Sequence, residues 1–239
     1  MPEQESAASS LVTTAFYDRL ASVYDRLFAY GPEQSGLQAR WIKRVCPAGQ
    51  LLDLGCGTGR MLGRLRQAGF SPVGLDCSGG MLAQARASHP DAWLVRADAA
   101  QTLPFATQSF TSIISLHASL IHITHPDARN RLAAEVLRLL KPGGVLVAEL
   151  PHPRSYPPCG TMGQWRSFLP GVSCRRLDSG IEELRMDEMG GLTCQVVLLD
   201  LPDLRQWLAG FAKVLIHPGF QGGRFDPTEG RAMVVCAYK

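Results

Sequence analysis

The sequence predicts an α/β fold built around a doubly wound, mostly parallel β-sheet, and three observations support this prediction. Residues 51–54 form a short apolar run that breaks into glycines and then into a helical pattern, which is typical of the first strand, turn and helix of a βαβ unit. Short apolar runs then alternate with helical patterns as far as residue 150. Residues 200–239 return to this pattern with one helix followed by two strands.

Length and composition limit the chain to one domain of ordinary size. With 239 residues it has room for an α/β core and a modest insertion, but not for two full domains. A hydrophobic fraction of 46% and a mean hydropathy of 0.00 indicate a globular protein. The net charge of +3 is too small to require nucleic acid as a partner, and no apolar stretch is long enough to span a membrane.

The cysteines and the N-terminus bear on the cellular compartment. Seven cysteines are scattered without a C-x-x-C pair, so neither a zinc site nor a disulfide framework is indicated. We therefore expect reduced thiols in a cytoplasmic protein. Residues 1–10 are polar and lack the basic start and apolar centre of a signal peptide. Because they offer little to bury, we expect them to be disordered.

The turn after the first strand is the most informative stretch. Its three glycines, Gly55, Gly57 and Gly59, permit positive φ angles and let backbone N–H groups approach a ligand closely. A dinucleotide-binding turn has the pattern G-x-G-x-x-G, but Arg60 stands where the last glycine would be. Asp53 adds a negative charge at the end of the strand. This combination suits a ligand with a cationic amine, such as a methionine moiety, better than a diphosphate.

Acidic residues also end the next two predicted strands. Asp76 follows residues 72–75, about 20 residues beyond the glycine turn, where its two oxygens can accept hydrogen bonds from both ribose hydroxyls. Asp98 follows the predicted strand at residues 92–95. We expect these two acids and Asp53 to border a single ligand site, because parallel strands end at the same edge of a sheet.

Four segments in sequence order resemble the motifs of class I S-adenosylmethionine-dependent methyltransferases. They are LLDLGCGTGR at 51–60, VGLDCS at 73–78, RADAAQTLPF at 96–105 and LKPGG at 140–144. The resemblance implies a Rossmann-like sheet of seven strands, with an antiparallel last strand between strands five and six. It also implies an enzyme of class EC 2.1.1.- with S-adenosylmethionine as its cofactor.

The resemblance also implies a set of cofactor contacts. Asp98 would accept a hydrogen bond from the adenine amino group, and the backbone N–H of Ala99 would meet the ring. Met81 would lie against the adenosine, although a methionine on the apolar face of a helix is also typical of a core. The residues expected to contact the cofactor are Tyr17, Asp53, Gly55, Cys56, Gly57, Gly59, Asp76, Cys77, Met81, Asp98, Ala99, Leu116 and His117.

Two further segments supply candidate catalytic residues. Residues 11–30 have apolar side chains at helical spacing, and the family commonly places a segment of the form YD-x-L-A-x-x-YD over the cofactor. Tyr17 and Tyr24 would then either contact the ligand or pack in the core. SLIHI at 119–123 resembles a segment at the active-site mouth of small-molecule methyltransferases, so we expect His122 to orient the acceptor or take its proton, with Tyr24 as a second catalytic candidate. His117 is a weaker candidate, and no metal site is expected because these histidines do not share a helical face with an acid.

The predicted organisation has five parts. Residues 1–10 are a disordered N-terminus, 11–45 a helical lid, 46–150 the cofactor-binding core, 151–199 a β-rich insertion, and 200–239 a closing helix and hairpin. The insertion is rich in proline and glycine and then alternates, which predicts two or three antiparallel strands. Because connections at this edge of the sheet overhang the ligand, we expect a substrate cap. Side chains available to it are His152, Tyr156, Trp165 and Arg166.

These observations predict transfer of a methyl group from S-adenosylmethionine to a nitrogen or oxygen of a small molecule. A transfer RNA or protein acceptor is one alternative, and its only support is a group of arginines at 154, 166, 175 and 176. A non-catalytic subunit that binds the cofactor for a partner is another. Neither a membrane nor a nucleic acid is an expected partner, and the oligomeric state is open between monomer and homodimer.

Overall fold

The computed structural model describes residues 2–28, 31–153, 166–169, 171–177, 180–226 and 232–239. The elements up to residue 150 are α1 (Pro2–Leu20), α2 (Tyr24–Leu27), α3 (Pro32–Val45), β1 (Gln50–Leu54), α4 (Leu62–Gln67), β2 (Ser71–Asp76), α5 (Gly79–Ser88), β3 (Trp93–Arg96), β4 (Phe110–Ser115), a 3-10 helix (Ser119–His122), α6 (Pro126–Leu139) and β5 (Leu140–Leu150). The later elements are β6 (Arg166–Leu169), β7 (Val172–Arg176), β8 (Ile181–Met186), a 3-10 turn (Asp187–Met189), β9 (Leu192–Val197), α7 (Leu201–Trp207), β10 (Lys213–Pro218) and β11 (Met233–Tyr238).

Seven of the strands form one sheet in the order β10, β11, β5, β4, β1, β2, β3. β1 to β5 pair in parallel, whereas β11 runs antiparallel to both β5 and β10. The predicted doubly wound sheet, with its antiparallel last strand between the fifth and sixth strands, is confirmed. The strand order reverses between β1 and β4, and ligands of open α/β sheets bind outside the carboxyl ends of the strands at such a reversal.

Apolar side chains on both faces of the sheet hold the helices against it. Because side chains alternate along a strand, Leu52 and Leu54 face one core while Leu51 faces the other. The first core includes Leu132 of α6, and the second includes Trp41 of α3. Fully burying one such side chain contributes about 1.5–3 kcal/mol, so these two cores fix the strand ends that carry the predicted acids.

The insertion forms a second sheet of four antiparallel strands in the order β6, β7, β8, β9. It therefore contains one strand more than the largest number predicted. Strand β9 packs against α1 and against the 3-10 helix Ser119–His122, so the insertion borders the N-terminal lid. Among the residues considered for its pocket, His152 is buried with its ring 6.0 Å from that of Phe225. Tyr156, Trp165 and Arg154 lie outside the described residues, and only the strand position of Arg166 is described.

The prediction that residues 1–10 are disordered is wrong for residues 2–10, which belong to α1. These residues are polar, but Ser10 donates a hydrogen bond to Asp98 and Ser9 lies 3.2 Å from the hydroxyl of Thr124. Residues 9 and 10 therefore make polar contacts with the core, whereas Phe16 and Leu20 of the same helix pack into its apolar interior. The helix predicted over residues 11–30 is instead two helices separated by a turn at residues 21–23, and Tyr30 lies outside the described residues.

Two further observations concern the cysteines and the membrane. Five cysteines of the described part of the chain are free, but Cys174 is disulfide-bonded, so the expectation of uniformly reduced thiols is wrong at that position. In the described ranges, no helix has both the length and the apolarity that crossing a membrane would require.

Candidate active site at the carboxyl edge of the sheet

A cavity lies at the carboxyl ends of β1, β2 and β3, under the N-terminal helices. Its empty space amounts to about 890 Å³, which includes space open to solvent. The lining from the sheet and α5 consists of Leu54, Gly55, Gly57, Leu75, Asp76, Cys77, Met81, Ala97, Asp98, Ala99 and Ala100. The lining from α1 and α2 consists of Ser9, Ser10, Thr13, Tyr17 and Tyr24. The lining from the segment after β4 consists of His117, Ser119, Leu120, His122, Ile123, Thr124, His125 and Ala128.

The three glycines of the turn after β1 have different surroundings. All three have positive φ angles, of 78° at Gly55, 54° at Gly57 and 77° at Gly59. A Cβ added at Gly55 would lie 2.6 Å from Cβ of Ser119, and one at Gly59 would lie 3.0 Å from Cβ of Ala85. An added Cβ at Gly57 would meet nothing within 4 Å. Gly55 and Gly59 are thus required by packing, whereas Gly57 leaves open space beside the cavity.

Asp76 and Asp98 present carboxylates on neighbouring parts of the cavity wall. Asp76 accepts backbone hydrogen bonds from Gly57 (2.8 Å) and Ser78 (2.9 Å), one at each oxygen. Asp98 accepts one from the backbone of Ala100 (2.8 Å) and one from the hydroxyl of Ser10. A carboxylate oxygen has two lone pairs, so both side chains retain acceptor capacity toward a ligand. Burial raises the pKa of Asp76 even though these hydrogen bonds oppose the shift.

Asp53 does not line the cavity, although the sequence analysis expected it to contact the cofactor. Strand alternation puts it on the face of Leu51, which α3 and α4 cover, and it is only 3% exposed. Its carboxylate receives no hydrogen bond from any residue that the structure describes. Burial and the nearby charge of Asp76 raise the pKa of Asp53 to about 7. Any effect of Asp53 on a ligand in the cavity is therefore electrostatic and does not depend on contact.

The remaining predicted cofactor residues divide into two groups. Cys77, Met81 and Ala99 line the cavity as expected. Cys56, Gly59 and Leu116 do not line it. Cys56 and Leu116 are buried in the cores, which accounts for their absence from the wall.

The lid carries a tandem repeat, YDRL at residues 17–20 and again at 24–27. Each repeat directs its tyrosine into the cavity and its aspartate onto a turn of the core. Asp18 accepts hydrogen bonds from the Ser78 hydroxyl (2.6 Å) and the Gly80 N–H (2.8 Å), both at the start of α5. Asp25 accepts a hydrogen bond from the Thr58 hydroxyl (2.9 Å) in the glycine turn and forms an ion pair with Arg60.

His122 contacts Tyr17 rather than Tyr24. The Tyr17 hydroxyl lies 2.7 Å from Nε2 of His122, and the two rings are perpendicular with centroids 5.2 Å apart. Nδ1 of His122 lies 3.3 Å from the backbone oxygen of Gln195 in β9. Burial lowers the pKa of His122 to about 4, and burial also raises the pKa of Tyr17. Both side chains are therefore neutral near pH 7.

His117 lies on the same wall, in a strained turn with φ of 53°. Its backbone N–H donates to the carboxylate of Glu149 (2.9 Å), which also accepts from Nε2 of Gln38 (3.1 Å). The same amide nitrogen lies 3.1 Å from Nε2 of His117. Burial lowers the pKa of His117 to about 4 and raises the pKa of Glu149. Sequence reasoning missed Gln38 and Glu149, since nothing in their local patterns links them to the cavity.

The wall chemistry fits an S-adenosyl ligand. The open space beside Gly57 admits a ligand next to the backbone, and the free lone pairs of Asp76 and Asp98 suit ribose hydroxyls and an amino group. The buried negative charges favour a cation over a diphosphate.

The described residues contain no cluster of three His, Cys, Asp or Glu side chains that could hold a metal ion.

Comparisons with known proteins agree with this chemistry. The family described as "Methyltransferase domain" matches residues 51–144. A protein of Renibacterium salmoninarum named demethylmenaquinone methyltransferase is 34% identical over 234 residues, covering 89% of this chain and 93% of its own. Malonyl-[acyl-carrier protein] O-methyltransferase of Pectobacterium atrosepticum is 34% identical over 134 residues, covering 54% and 46%.

Solved structures show a similar fold. The CcbJ methyltransferase from Streptomyces caelestis superimposes with a TM-score of 0.78 at 20% identity, over 94% of this chain and 97% of its own. A similar fold alone does not assign a family. The family is assigned by the 34% identity to the Renibacterium protein over most of both chains, together with the match to the methyltransferase domain. This chain belongs to the class I S-adenosylmethionine-dependent methyltransferases.

Proposed function

We propose that this enzyme methylates a nitrogen or oxygen of a small molecule bound beside Tyr17, Tyr24 and His122. The observation that carries the proposal is the cover over the cavity. Helices α1 and α2 lie across it, and β9 packs against α1 and the 3-10 helix that holds His122. An acceptor must fit beneath this cover, which favours a small molecule over a folded macromolecule.

We assign the cofactor to the wall formed by the strand ends. Asp76 would accept from the ribose hydroxyls, and Asp98 with Ala99 would hold the adenine. The methionine end would lie along Gly55 and Gly57, where the amine is attracted by the charge of Asp53 from beneath the turn. Cys77, Met81, Tyr17 and His117 line the same cavity and are proposed as further contacts.

The protein's own residues act mainly by positioning. When bound, the cofactor supplies an electrophilic methyl group whose transfer is a direct displacement. The enzyme then has to align the acceptor atom and keep water out, and such alignment can supply on the order of 7–11 kcal/mol. His122 is neutral near pH 7 and is proposed to take the acceptor's proton, a role typically worth roughly 10²–10⁴-fold in rate.

The names of the relatives describe different acceptors, namely demethylmenaquinone and malonyl-[acyl-carrier protein]. They support a metabolite or a carrier-borne small group as the acceptor of this chain, without selecting one. We also propose a cytoplasmic enzyme that is either a monomer or a homodimer. Five free cysteines in the described residues support a reducing compartment, whereas the bonded Cys174 counts against it.

Two of the arginines that favoured a macromolecular acceptor, Arg175 and Arg176, are engaged in ion pairs. Arg175 lies 2.6 Å from Glu183, and Arg176 lies 3.4 Å from Glu182, across adjacent strands of the insertion. Paired charges of this kind attract phosphates weakly, because each cation already has an anion beside it. We therefore rank a transfer RNA or protein acceptor below a small molecule.

A thermal-shift measurement tests cofactor binding directly. S-adenosylhomocysteine at 100 times its Kd should stabilise the fold by about 2.7 kcal/mol, which corresponds to roughly 5–10 °C for a chain of this size. NAD should give no comparable shift, and Asp76→Ala should lose the shift. A shift with NAD but not with S-adenosylhomocysteine would contradict the cofactor assignment.

Methyl transfer is tested with S-adenosylmethionine labelled in its methyl group and a lysate separated by size. Label should appear in the low-mass fraction. Label confined to RNA or protein would favour the macromolecular alternative. Cofactor binding with no labelled product would favour the non-catalytic partner subunit.

A further inference from the structure

The contact between Tyr17 and His122 joins two parts of the chain that are far apart in sequence. Tyr17 belongs to the lid helix, and His122 ends the 3-10 helix after β4. The hydroxyl and Nε2 are 2.7 Å apart, which is a short hydrogen bond, and both residues line the cavity. The pair is thus available to whatever occupies the acceptor position.

The surroundings of His122 determine which nitrogen carries its proton. Nδ1 lies 3.3 Å from the backbone oxygen of Gln195, and a carbonyl oxygen can only accept a hydrogen bond. A neutral imidazole therefore carries its proton on Nδ1 and leaves a lone pair on Nε2. Tyr17 must donate its hydroxyl proton to that lone pair. The oxygen of Tyr17 then offers only lone pairs to the cavity, so it accepts a hydrogen bond from a ligand.

The geometry points to Tyr17 as a catalytic residue that passes a proton from an acceptor hydroxyl to Nε2 of His122, an assignment that rests on the methyltransferase function proposed above. The insertion contributes through Gln195, whose carbonyl holds His122 in the receptive tautomer. The proposal gives Tyr17 a role in the reaction in addition to its place over the cofactor.

The step balances in atoms and charge. The acceptor oxygen forms a bond to the methyl carbon as the carbon–sulfur bond breaks, and the electron pair of that bond stays on sulfur. The acceptor's proton moves to the oxygen of Tyr17, and the proton that Tyr17 held moves to Nε2 of His122. The positive charge therefore passes from sulfur to the imidazolium, which releases its proton to water when the products leave.

A proton relay serves an acceptor that must lose its proton on methylation. The low pKa of His122, about 4, is consistent with a proton donor that becomes strongly acidic as it is methylated. An oxygen that gains a methyl group while retaining its proton is such a group, whereas an alkylated amine keeps its proton. Besides His122, the titratable groups that act on the pKa of Tyr17 are Tyr24, Cys194, Asp76 and Cys77, and all four raise that pKa.

The hydrogen-bond pattern can be tested without an acceptor. We would record ¹⁵N spectra of histidine-labelled protein saturated with S-adenosylhomocysteine, and assign the His122 signals by their loss in His122→Asn. The expected result is a neutral Nδ1–H tautomer between pH 6 and 9, with an Nε2 signal that moves in Tyr17→Phe but not in the matched variant Tyr238→Phe. A proton on Nε2 would overturn the proposal.

The catalytic role is tested with labelled S-adenosylmethionine and the low-mass lysate fraction that accepts the label. Tyr17→Phe and His122→Asn should each lower kcat by about 100-fold or more, with KM for S-adenosylmethionine within about threefold of the wild-type value. Because the two residues act as a unit, their effects should not add. The double variant should have nearly the same kcat as the slower of the two single variants. A solvent-isotope series should show that two protons move in the wild-type reaction, and the product should be a methyl ether.

Three outcomes would overturn the proposal. A wild-type kcat in Tyr17→Phe would remove Tyr17 from the reaction, and an N-methylated product would contradict the oxygen acceptor. Cofactor binding without transfer to any lysate fraction would overturn the proposed function itself, and in that case the tautomer measurement still decides the hydrogen-bond pattern. Tyr238→Phe again serves as the control for the substitution.

Discussion

Asp25 of the lid lies 2.6 Å from the guanidinium of Arg60, the residue that ends the glycine turn. The same carboxylate accepts a hydrogen bond from Thr58, and the equivalent aspartate of the first YDRL repeat, Asp18, is bound at the start of α5. The two repeats therefore fasten the lid to the turns that follow β1 and β2. These are the turns along which the cofactor is proposed to lie.

Weakening these attachments should speed cofactor release. We expect Asp18→Asn and Asp25→Asn each to raise the dissociation rate of S-adenosylhomocysteine, because each weakens an attachment of the lid to the core. Both carboxylates are exposed, so solvent screening limits the size of each effect. Burial alone would raise the pKa of Asp18, but hydrogen bonds from Ser78 and Gly80 outweigh it and lower that pKa. Stopped-flow fluorescence measures both rates, and Asp91→Asn, an exposed site distant from the lid, is the control. Equal rates in all three variants would contradict the attachment.

The same pKa shift predicts how the lid responds to acid. A depressed carboxylate pKa contributes stability above the unfolded-state pKa, and this contribution is lost as pH falls through the folded-state value. The wild-type dissociation rate of S-adenosylhomocysteine should therefore rise as pH falls below about 4. Asp18→Asn should remove this part of the pH dependence. A wild-type rate that does not change with pH in that range would count against the role of Asp18.

Removing the buried charge of Asp53 should stabilise the ligand-free protein. The folded state holds the Asp53 proton up to about pH 7, whereas the unfolded chain releases it near pH 4. The contribution of this group to stability therefore falls as pH rises from about 4 to 7 and stays low above that. Asp53→Asn should raise the free energy of unfolding at pH 8 by roughly 1–3 kcal/mol, and this gain should shrink toward pH 4.

Urea unfolding at the two pH values measures that gain. Calorimetric titration of the same variant should show weaker binding of S-adenosylhomocysteine, by roughly tenfold at most, since its amine loses a nearby negative charge. A variant that is less stable than the wild type at pH 8 would show that Asp53 has a partner outside the described residues.

Alanine substitutions at Gly55 and Gly57 should separate packing from ligand binding. Both positions have positive φ, which costs a residue with a side chain roughly 1–2 kcal/mol. Gly55→Ala adds a clash with Ser119 and should lower the free energy of unfolding by roughly 2–4 kcal/mol. Gly57→Ala should lower the free energy of unfolding only by the cost of the backbone strain. It should weaken ligand binding, however, because the added methyl group takes space from the ligand. Chemical unfolding measures the stability of both variants, and titration with S-adenosylhomocysteine measures their affinity. Equal losses of stability in the two variants would contradict the prediction.

Asp98 should determine the preference for adenine. In the proposed arrangement its carboxylate accepts from the adenine amino group, and hypoxanthine carries an oxygen at that position. We expect S-inosylhomocysteine to bind wild-type protein roughly 100-fold more weakly than S-adenosylhomocysteine, because two acceptors would then face each other. Asp98→Asn should narrow this difference, since its amide can donate. An unchanged ratio, measured by calorimetry, would remove Asp98 from the adenine site.

Local sequence was sufficient to predict the sheet and its glycine turn. The strand-ending acids Asp76 and Asp98 were also predicted, because parallel strands that alternate with helices end at one edge. The sequence alone did not predict the helix over residues 2–10, which makes hydrogen bonds to Asp98 and Thr124 far along the chain. Asp53 was expected at the ligand, but it is buried within β1 and does not line the cavity.

The sequence by itself determined the α/β class, the glycine turn and the acids Asp76 and Asp98, since each depends on periodicity and spacing over a few residues. The position of the antiparallel last strand was implied by the family resemblance. Only the tertiary structure decided that His122 meets Tyr17 rather than Tyr24, and that a carbonyl of the insertion sets its tautomer. These partners are separated by 105 and 73 positions, so their contact depends on how the lid and the insertion pack against the core. No local pattern encodes that packing.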